Sequence, residues 1–173
     1  MRYVELRRHT DNDDDTLSED GIAAAEDLGR TGLHPPYAAF VSTGANRARQ
    51  MAEILRHAAG QDDHVITEAR GLRSSVEDRW RDAAKAAGKG ADVEAMRASD
   101  PDLVEMESRL LGAALRSVID ELPEGGRALV IGHSPTNEAA VLGLVGTAIP
   151  PMGKGEGVLV VESGGRYQVQ PLA

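Results

Sequence analysis

The stretch "RALVIGHSPTNEAAVLGLVG", residues 127–146, decides the fold. It begins as a nearly uniform apolar run and ends that run at Gly132 and His133. A strand with one wet face alternates apolar and polar side chains, whereas a strand covered on both faces has no need to. Residues 127–133 therefore predict a strand buried on both faces, as in a parallel sheet. Ser134-Pro135 follows at once, a helix-capping residue and a proline suited to a first helical turn. The spacing behind it predicts a helix.

Working outward, the same strand-then-helix unit recurs. Residues 3–8, "YVELRR", predict a first strand that ends at Arg8 and His9. Ser18 caps a helix running to about Thr31, with Glu19 and Asp20 in the first turn, where the helix dipole favours acids. "HPPY" (34–37) breaks it. Residues 38–43, "AAFVST", predict a second strand that passes through Gly44 into a helix over 45–60. Residues 64–67 predict a short third strand. Residues 76–100 read as helix interrupted near "GKGAD", and Asp100-Pro101 starts another that reaches Leu122. Residues 156–163 and 166–172 predict a closing hairpin around Gly164-Gly165. With no repeat or linker in view, residues 1–173 are expected to form a single α/β domain. The expected architecture is a three-layer α/β/α sandwich around a mostly parallel central sheet.

Composition narrows the function. The 173 residues include no cysteine, which leaves no disulfide, thiolate nucleophile or Cys-ligated metal. Aromatics are 3 %, so Ala, Leu, Val and Ile must build the core. No apolar run reaches the ~18 residues of a membrane span. "MRYVELRRH" carries no apolar signal-peptide core, and a cytoplasmic location is expected. A net charge of −9 argues against a nucleic-acid partner. It does not argue against a small anionic ligand, which feels the local field.

Three predicted strands end in polar, reactive residues: Arg8-His9, then "STGANR" with Arg47 in the next helix's first turn, then His133. Ligands of open α/β sheets bind beyond the carboxyl ends of the strands. If these strands are neighbours, Arg8, His9, Arg47 and His133 converge there, together with two helix N-termini that favour anions. A phosphoryl group suits that collection. Two guanidinium forks clamp its oxygens. A histidine among cations stays neutral and nucleophilic, able to form a phosphohistidine. A second histidine, protonated against bound phosphate, would stabilise charge on the equatorial oxygens.

Four segments carry a family resemblance. "LRRHT" resembles the Arg-His-Gly signature of the histidine phosphatase superfamily, the phosphoglycerate mutase-like proteins. "LSEDGIAAAEDLG", "VSTGANRARQMAEIL" and "ALVIGHSP" resemble its later segments, in the family's order and over most of the chain. Short length and the Ser-Pro after His133 are most similar to the small SixA-type phosphohistidine phosphatases. The resemblance implies His9 as nucleophile, Arg8 and Arg47 as ligands of the phosphoryl oxygens, and His133 as completing the pocket. Thr10, Ser42, Ser134, Asp11 and Glu77 are the candidate substrate-binding residues around them. It implies no metal and no organic cofactor. The implied partner is a phosphorylated small molecule or phosphoprotein, with neither nucleic acid nor membrane. Nothing compels a dimer.

The sequence also departs from the family pattern. Thr10 replaces its glycine, tightening the site, sending the loop along another path, or offering phosphate a hydroxyl. Ser74 stands where many members carry a glutamate acid; Asp11, Asp13, Glu68, Glu77 and Asp78 are the acids left to replace it. "DNDDD" (11–15) is a solvated cap on the Ser18 helix, a selectivity element or a source of that acid. It lacks the spaced ligands of a calcium loop. The missing glutamate weighs against a phosphomutase more than against a phosphatase. A phosphate-binding pseudoenzyme is the reading from a different class. By strand parity Arg7 is expected to face outward, Arg49 the surface, and His34 a loop. His57 and His64 are expected to be exposed and unpaired. Trp80 is expected in the core or at a substrate entrance.

Overall fold

A computed structural model describes residues 1–172. In chain order it contains β1 (Arg2–Arg8), β2 (Asn12–Asp13), β3 (Thr16–Leu17), α1 (Glu19–Thr31), β4 (Ala39–Ser42), α2 (Asn46–Ala58) and β5 (Ile66–Glu68). These are followed by α3 (Glu77–Ala87), α4 (Val93–Ser99), α5 (Pro101–Asp120), β6 (Arg127–Gly132), α6 (Thr136–Val145), β7 (Gly157–Ser163) and β8 (Arg166–Pro171). The main sheet has six strands in the order β5-β4-β6-β1-β7-β8. β5, β4, β6 and β1 are parallel; β7 runs antiparallel to β1 and closes with β8 as a hairpin.

β6 lies inside the sheet, and its register explains its sequence. Ala128 and Val130 face a core shared with α3 to α6, while Leu129 and Ile131 face a second core under α1 and α2. Both faces are dry from Ala128 onward, so every position from Ala128 to Gly132 is apolar. The result is the expected three-layer sandwich with a mostly parallel sheet.

Local chemistry fixes the helix starts. Ser18 Oγ accepts the Gly21 N–H at 3.0 Å, and Asp100 accepts the Leu103 N–H at 3.2 Å ahead of Pro101. α3 stops at Gly88, whose φ of 98° suits glycine, and Asp92 caps α4. Gly21 also lies where a side chain cannot go. A Cβ there would fall 1.9 Å from the Asp11 carbonyl oxygen, so the loop after β1 packs directly on the first turn of α1. Gly143 does the same for the α5–α6 crossing, where a Cβ would meet the Ser108 carbonyl at 1.8 Å.

Four expectations need correction. The third strand is Ile66–Glu68, not 64–67, because Phe40 pairs with Ile66 and the chain turns at Gln61–His64. The acidic run is a small β2–β3 hairpin with Asp14 at φ 54°, a conformation aspartate tolerates. Ser134 does not cap α6; Pro135 takes that place without a side-chain bond, and Ser134 Oγ donates to Glu138 instead. Arg7 does lie on the opposite face from Arg8, but that face is covered. It is 5 % exposed and donates to the Gly32 and Gly155 carbonyls.

Candidate active site

The carboxyl ends of β1, β4 and β6 meet because β6 lies between the other two. β1 delivers Arg8 and His9, the turn after β4 delivers Thr43 and then Arg47 on α2, and β6 delivers His133. His9 and His133 are 6 % and 8 % exposed, with ring centroids 5.2 Å apart. Arg47 joins them: Nε donates to His9 Nε2 and Nη2 to His133 Nδ1, each at 3.3 Å.

These contacts fix both tautomers. Guanidinium only donates, so His9 Nε2 and His133 Nδ1 carry lone pairs. His9 Nδ1 is 2.7 Å from the Thr10 carbonyl, which only accepts, so the ring proton is there. His133 Nε2 correspondingly donates to Thr43 Oγ1 at 2.7 Å. The lone pair of His9 Nε2 thus faces Arg47 in the hollow that both residues line.

Electrostatics keep both rings neutral. Burial pushes the His9 pKa down; the Thr10 carbonyl opposes this, and Arg47, Arg8 and Lys154 add to the lowering. His133 is pushed down to about 3 by burial, then by Arg47 and His9. The free site thus holds the second histidine neutral; its expected protonation concerned the phosphate-bound site.

The two arginines are held by different means. Arg8 donates Nη1 to the Met152 carbonyl at 2.9 Å, and its backbone N–H bonds the Glu156 carbonyl. Among the described residues it makes no ion pair. Arg47 is gripped by Asp15, whose Oδ1 lies 2.9 Å from Nη1 and 3.3 Å from the Arg47 backbone N–H. Burial raises the Asp15 pKa, but those contacts and Asn46 outweigh it and hold the carboxyl below its ordinary value.

No family model matches the chain, and no curated protein matches its sequence. Solved structures do. A phosphoglycerate mutase from Bacillus anthracis superimposes with a TM-score of 0.73 at 17% identity, covering 98% of this chain and 91% of that one. A phosphoserine phosphatase mutant from Entamoeba histolytica, in complex with phosphoserine, gives 0.68 at 12% identity over 98% and 95%. A mycobacterial glucosyl-3-phosphoglycerate phosphatase, in complex with inorganic phosphate, gives 0.64 at 18% identity over 98% and 96%. The fold is phosphoglycerate mutase-like.

Within the phosphoglycerate mutase-like fold, the site opens as two joined hollows. One, of about 410 Å³, holds Arg8, His9, Asp15, Arg47 and His133. The other, of about 270 Å³, runs over Trp80, Ala84 and Pro135. Arg47, His133, Ser134, Glu77 and Arg81 line both. Trp80 satisfies both expectations at once: it is 2 % exposed and also walls the second hollow.

Several candidates lie elsewhere. Thr10 does not offer its hydroxyl to the pocket; Oγ1 donates to the Gly21 carbonyl at 2.7 Å, tying the loop to α1. Asp11 turns to Lys154 and Ser18. Ser42 is buried and accepts the Gly44 N–H; its neighbour Thr43 reaches the site instead. Glu68 pairs with Arg70, and Asp78 with Arg81. Asp13 is exposed and lines neither hollow. Of the five acids, only Glu77 lines the hollows, held at 3.0 Å by Arg73. His57 and His64 are not unpaired: they contact Asp62 and Asp63. Sequence reading missed Thr43, Asp15, Arg73 and Arg81. Thr43 carried a local signal, the last side chain before the Gly44 turn; the other three meet the site only through the fold. Among the described residues, no group of three or more His, Asp or Glu has metal-site geometry.

Proposed function

We propose that this protein is a phosphatase that hydrolyses a phosphomonoester or a protein phosphohistidine through a phospho-His9 intermediate. The observation that carries the reading is the tautomer pair around Arg47. His9 presents an unprotonated Nε2, accepting from Arg47, in a buried pocket lined by arginines, with its proton parked on Nδ1 against a carbonyl. That is a nucleophile prepared for phosphorus. A phosphoryl dianion entering the larger hollow would replace lone pairs as the acceptor for Arg47 and recruit Arg8. The dianion would also raise the His133 pKa, so that the ring can donate to an equatorial oxygen.

Supporting this reading, the superimposed structures include phosphatases in complex with phosphoserine and with inorganic phosphate. Ser74 in the place of a glutamate and Ser134-Pro135 after His133 favour the SixA-type branch over a mutase. The substrate is a phosphorylated small molecule or phosphoprotein, and the working compartment is the cytoplasm. No helix is long and apolar enough to cross a membrane. The test is hydrolysis of 4-nitrophenyl phosphate with EDTA present, comparing wild type with His9→Ala. Turnover confined to the wild type is expected. Equal turnover in both would remove His9 from its role. Saturable phosphate binding without turnover, weakened by Arg47→Ala, would make the protein a pseudoenzyme.

A further inference from the structure

A carboxyl group lies directly behind the site and has no task in the account so far. Glu138, on the first turn of α6, is 2 % exposed. Its Oε2 accepts the Ser134 hydroxyl at 2.5 Å, and its Oε1 has no hydrogen-bond partner among the described residues. Ser134 is the next residue after His133 and lines both hollows. The second buried glutamate near the cavity is different. Glu107 Oε1 accepts from both Ser74 Oγ and Trp80 Nε1, an arrangement that anchors a wall. A buried carboxylate with one oxygen left without a partner is costly, and protonation relieves that cost. Burial raises the Glu138 pKa to about 7, against the opposing effects of Ser134, the charge of Arg8 and the Met152 backbone.

We infer that Ser134 and Glu138 form the proton relay of this site, with Ser134 as the catalytic residue that touches the leaving oxygen and Glu138 as the positioning reservoir behind it. The inference rests on the phospho-His9 reading above. In the first step His9 Nε2 bonds to phosphorus and the bond from phosphorus to the leaving oxygen breaks. Protonated at Oε2, Glu138 donates to Ser134 Oγ in place of accepting from it, which turns the Ser134 hydroxyl toward the site. The electron pair stays on the leaving oxygen, which takes the Ser134 proton as Glu138 reprotonates Ser134. In the second step a water oxygen bonds to phosphorus and the bond to His9 Nε2 breaks. The water proton passes through Ser134 back to the Glu138 carboxylate. Glu77 is the competing donor, but it is half-exposed and its Oε1 is committed to accepting from Arg73. The relay also accounts for how the site works with Ser74 in the place of a glutamate.

The test compares phenyl phosphate with 4-nitrophenyl phosphate, which differ little in shape but greatly in how much the leaving oxygen needs a proton. The readout is kcat/KM, which reports the phosphoryl transfer to His9 and not the later hydrolysis. Ser134→Ala and Glu138→Gln are each expected to lower kcat/KM for phenyl phosphate ~100-fold, at the low end for general acids. For 4-nitrophenyl phosphate the expected loss is at most about threefold, with phosphoenzyme still formed. In the wild type, kcat/KM for phenyl phosphate should fall as pH rises through about 7, as Glu138 loses its proton, and Glu138→Gln should erase that limb. Gln keeps the shape of the buried side chain, so the variant reports chemistry even if Glu138→Ala fails to fold. Equal losses on both substrates, or no loss, would overturn the relay. The same would follow from a leaving-group-dependent loss seen in Glu77→Gln instead. Absence of any phosphoenzyme in the wild type would instead defeat the phospho-His9 reading on which the relay rests.

Discussion

The floor of the site and its wall are built in different ways. The floor comes from the ends of three adjacent strands, and three of its four functional groups are held by partners distant in the chain. Thr43 holds His133, Asp15 holds Arg47, and Met152 holds Arg8. The wall comes from the residues after β5 and from α3, tied to the body by Trp80 and Ser74 on Glu107. Its charged groups, Arg73, Glu77, Asp78 and Arg81, pair with one another at the exposed rim. Such rim pairs are individually weak, on the order of 0 to 1 kcal/mol. The difference teaches a division of labour: on the proposed phosphatase reading, the floor would set the reaction and the wall would set what carries the phosphate.

The largest break of that division is expected at Arg47. Arg47→Ala removes the donor that touches both histidines, and kcat/KM should fall on the order of 100- to 1,000-fold, as for loss of a preorganised donor. Steady-state kinetics on any accepted phosphomonoester would show it. Lysine should rescue little, because it cannot reach both rings at once.

The wall should fail in stability where the floor fails in rate. Trp80→Ala empties a buried indole site and should cost about 3 to 5 kcal/mol in denaturant unfolding. Hydrogen exchange should rise over 70–100 and leave β1 and β6 protected. Uniform exchange across the sheet would mean that floor and wall are one cooperative unit.

A pH scan sharpens the contrast further. The folded-state pKa of His133 is lowered from 6.5 to about 3, so the unfolded chain binds the proton first. Stability should therefore decline as pH falls below 6.5 and stop declining near 3. Glu138 has the opposite sign. Its pKa is raised from 4.5 to about 7, so its contribution is present below 4.5 and lost as pH rises through 7. Glu138→Gln should raise the Tm above pH 7 and not below 4.5. A variant less stable than wild type above pH 7 would contradict the raised pKa.

Smaller effects are expected at Asp15 and Arg81. Asp15→Asn weakens a half-exposed grip on Arg47 and should cost at most about fivefold in kcat/KM. Arg81→Ala should change KM among phosphomonoesters whose leaving groups differ in charge, while leaving kcat for one with an uncharged aryl group within about twofold, consistent with a rim contact.

The same division explains how much could be read from sequence. The floor was legible because its elements have local signals. A doubly buried strand has no alternation, strand ends mark the ligand crevice, and Ser18 and Asp100 announce helix starts. Those signals predicted where Arg8, His9, Arg47 and His133 would lie. Partner choice was not legible. Asp15 reaches Arg47 across 32 positions, and Thr43 reaches His133 across 90. Thr10, Asp11 and Ser134 carry hydroxyl or carboxyl groups whose direction depends on packing. Thr10 and Asp11 turned to α1 and Lys154, and Ser134 turned to Glu138. Arg7 obeyed strand parity, yet only the three-layer packing shows that its face is dry.

The most direct measurement is to trap the covalent intermediate. Wild-type protein would be mixed with 4-nitrophenyl phosphate, denatured within milliseconds at alkaline pH, digested and mapped by mass spectrometry. A phosphoryl group is expected on the peptide carrying His9, lost in His9→Ala. Turnover with no phosphopeptide, or with phosphate on the peptide carrying His133, would contradict the phospho-His9 reading.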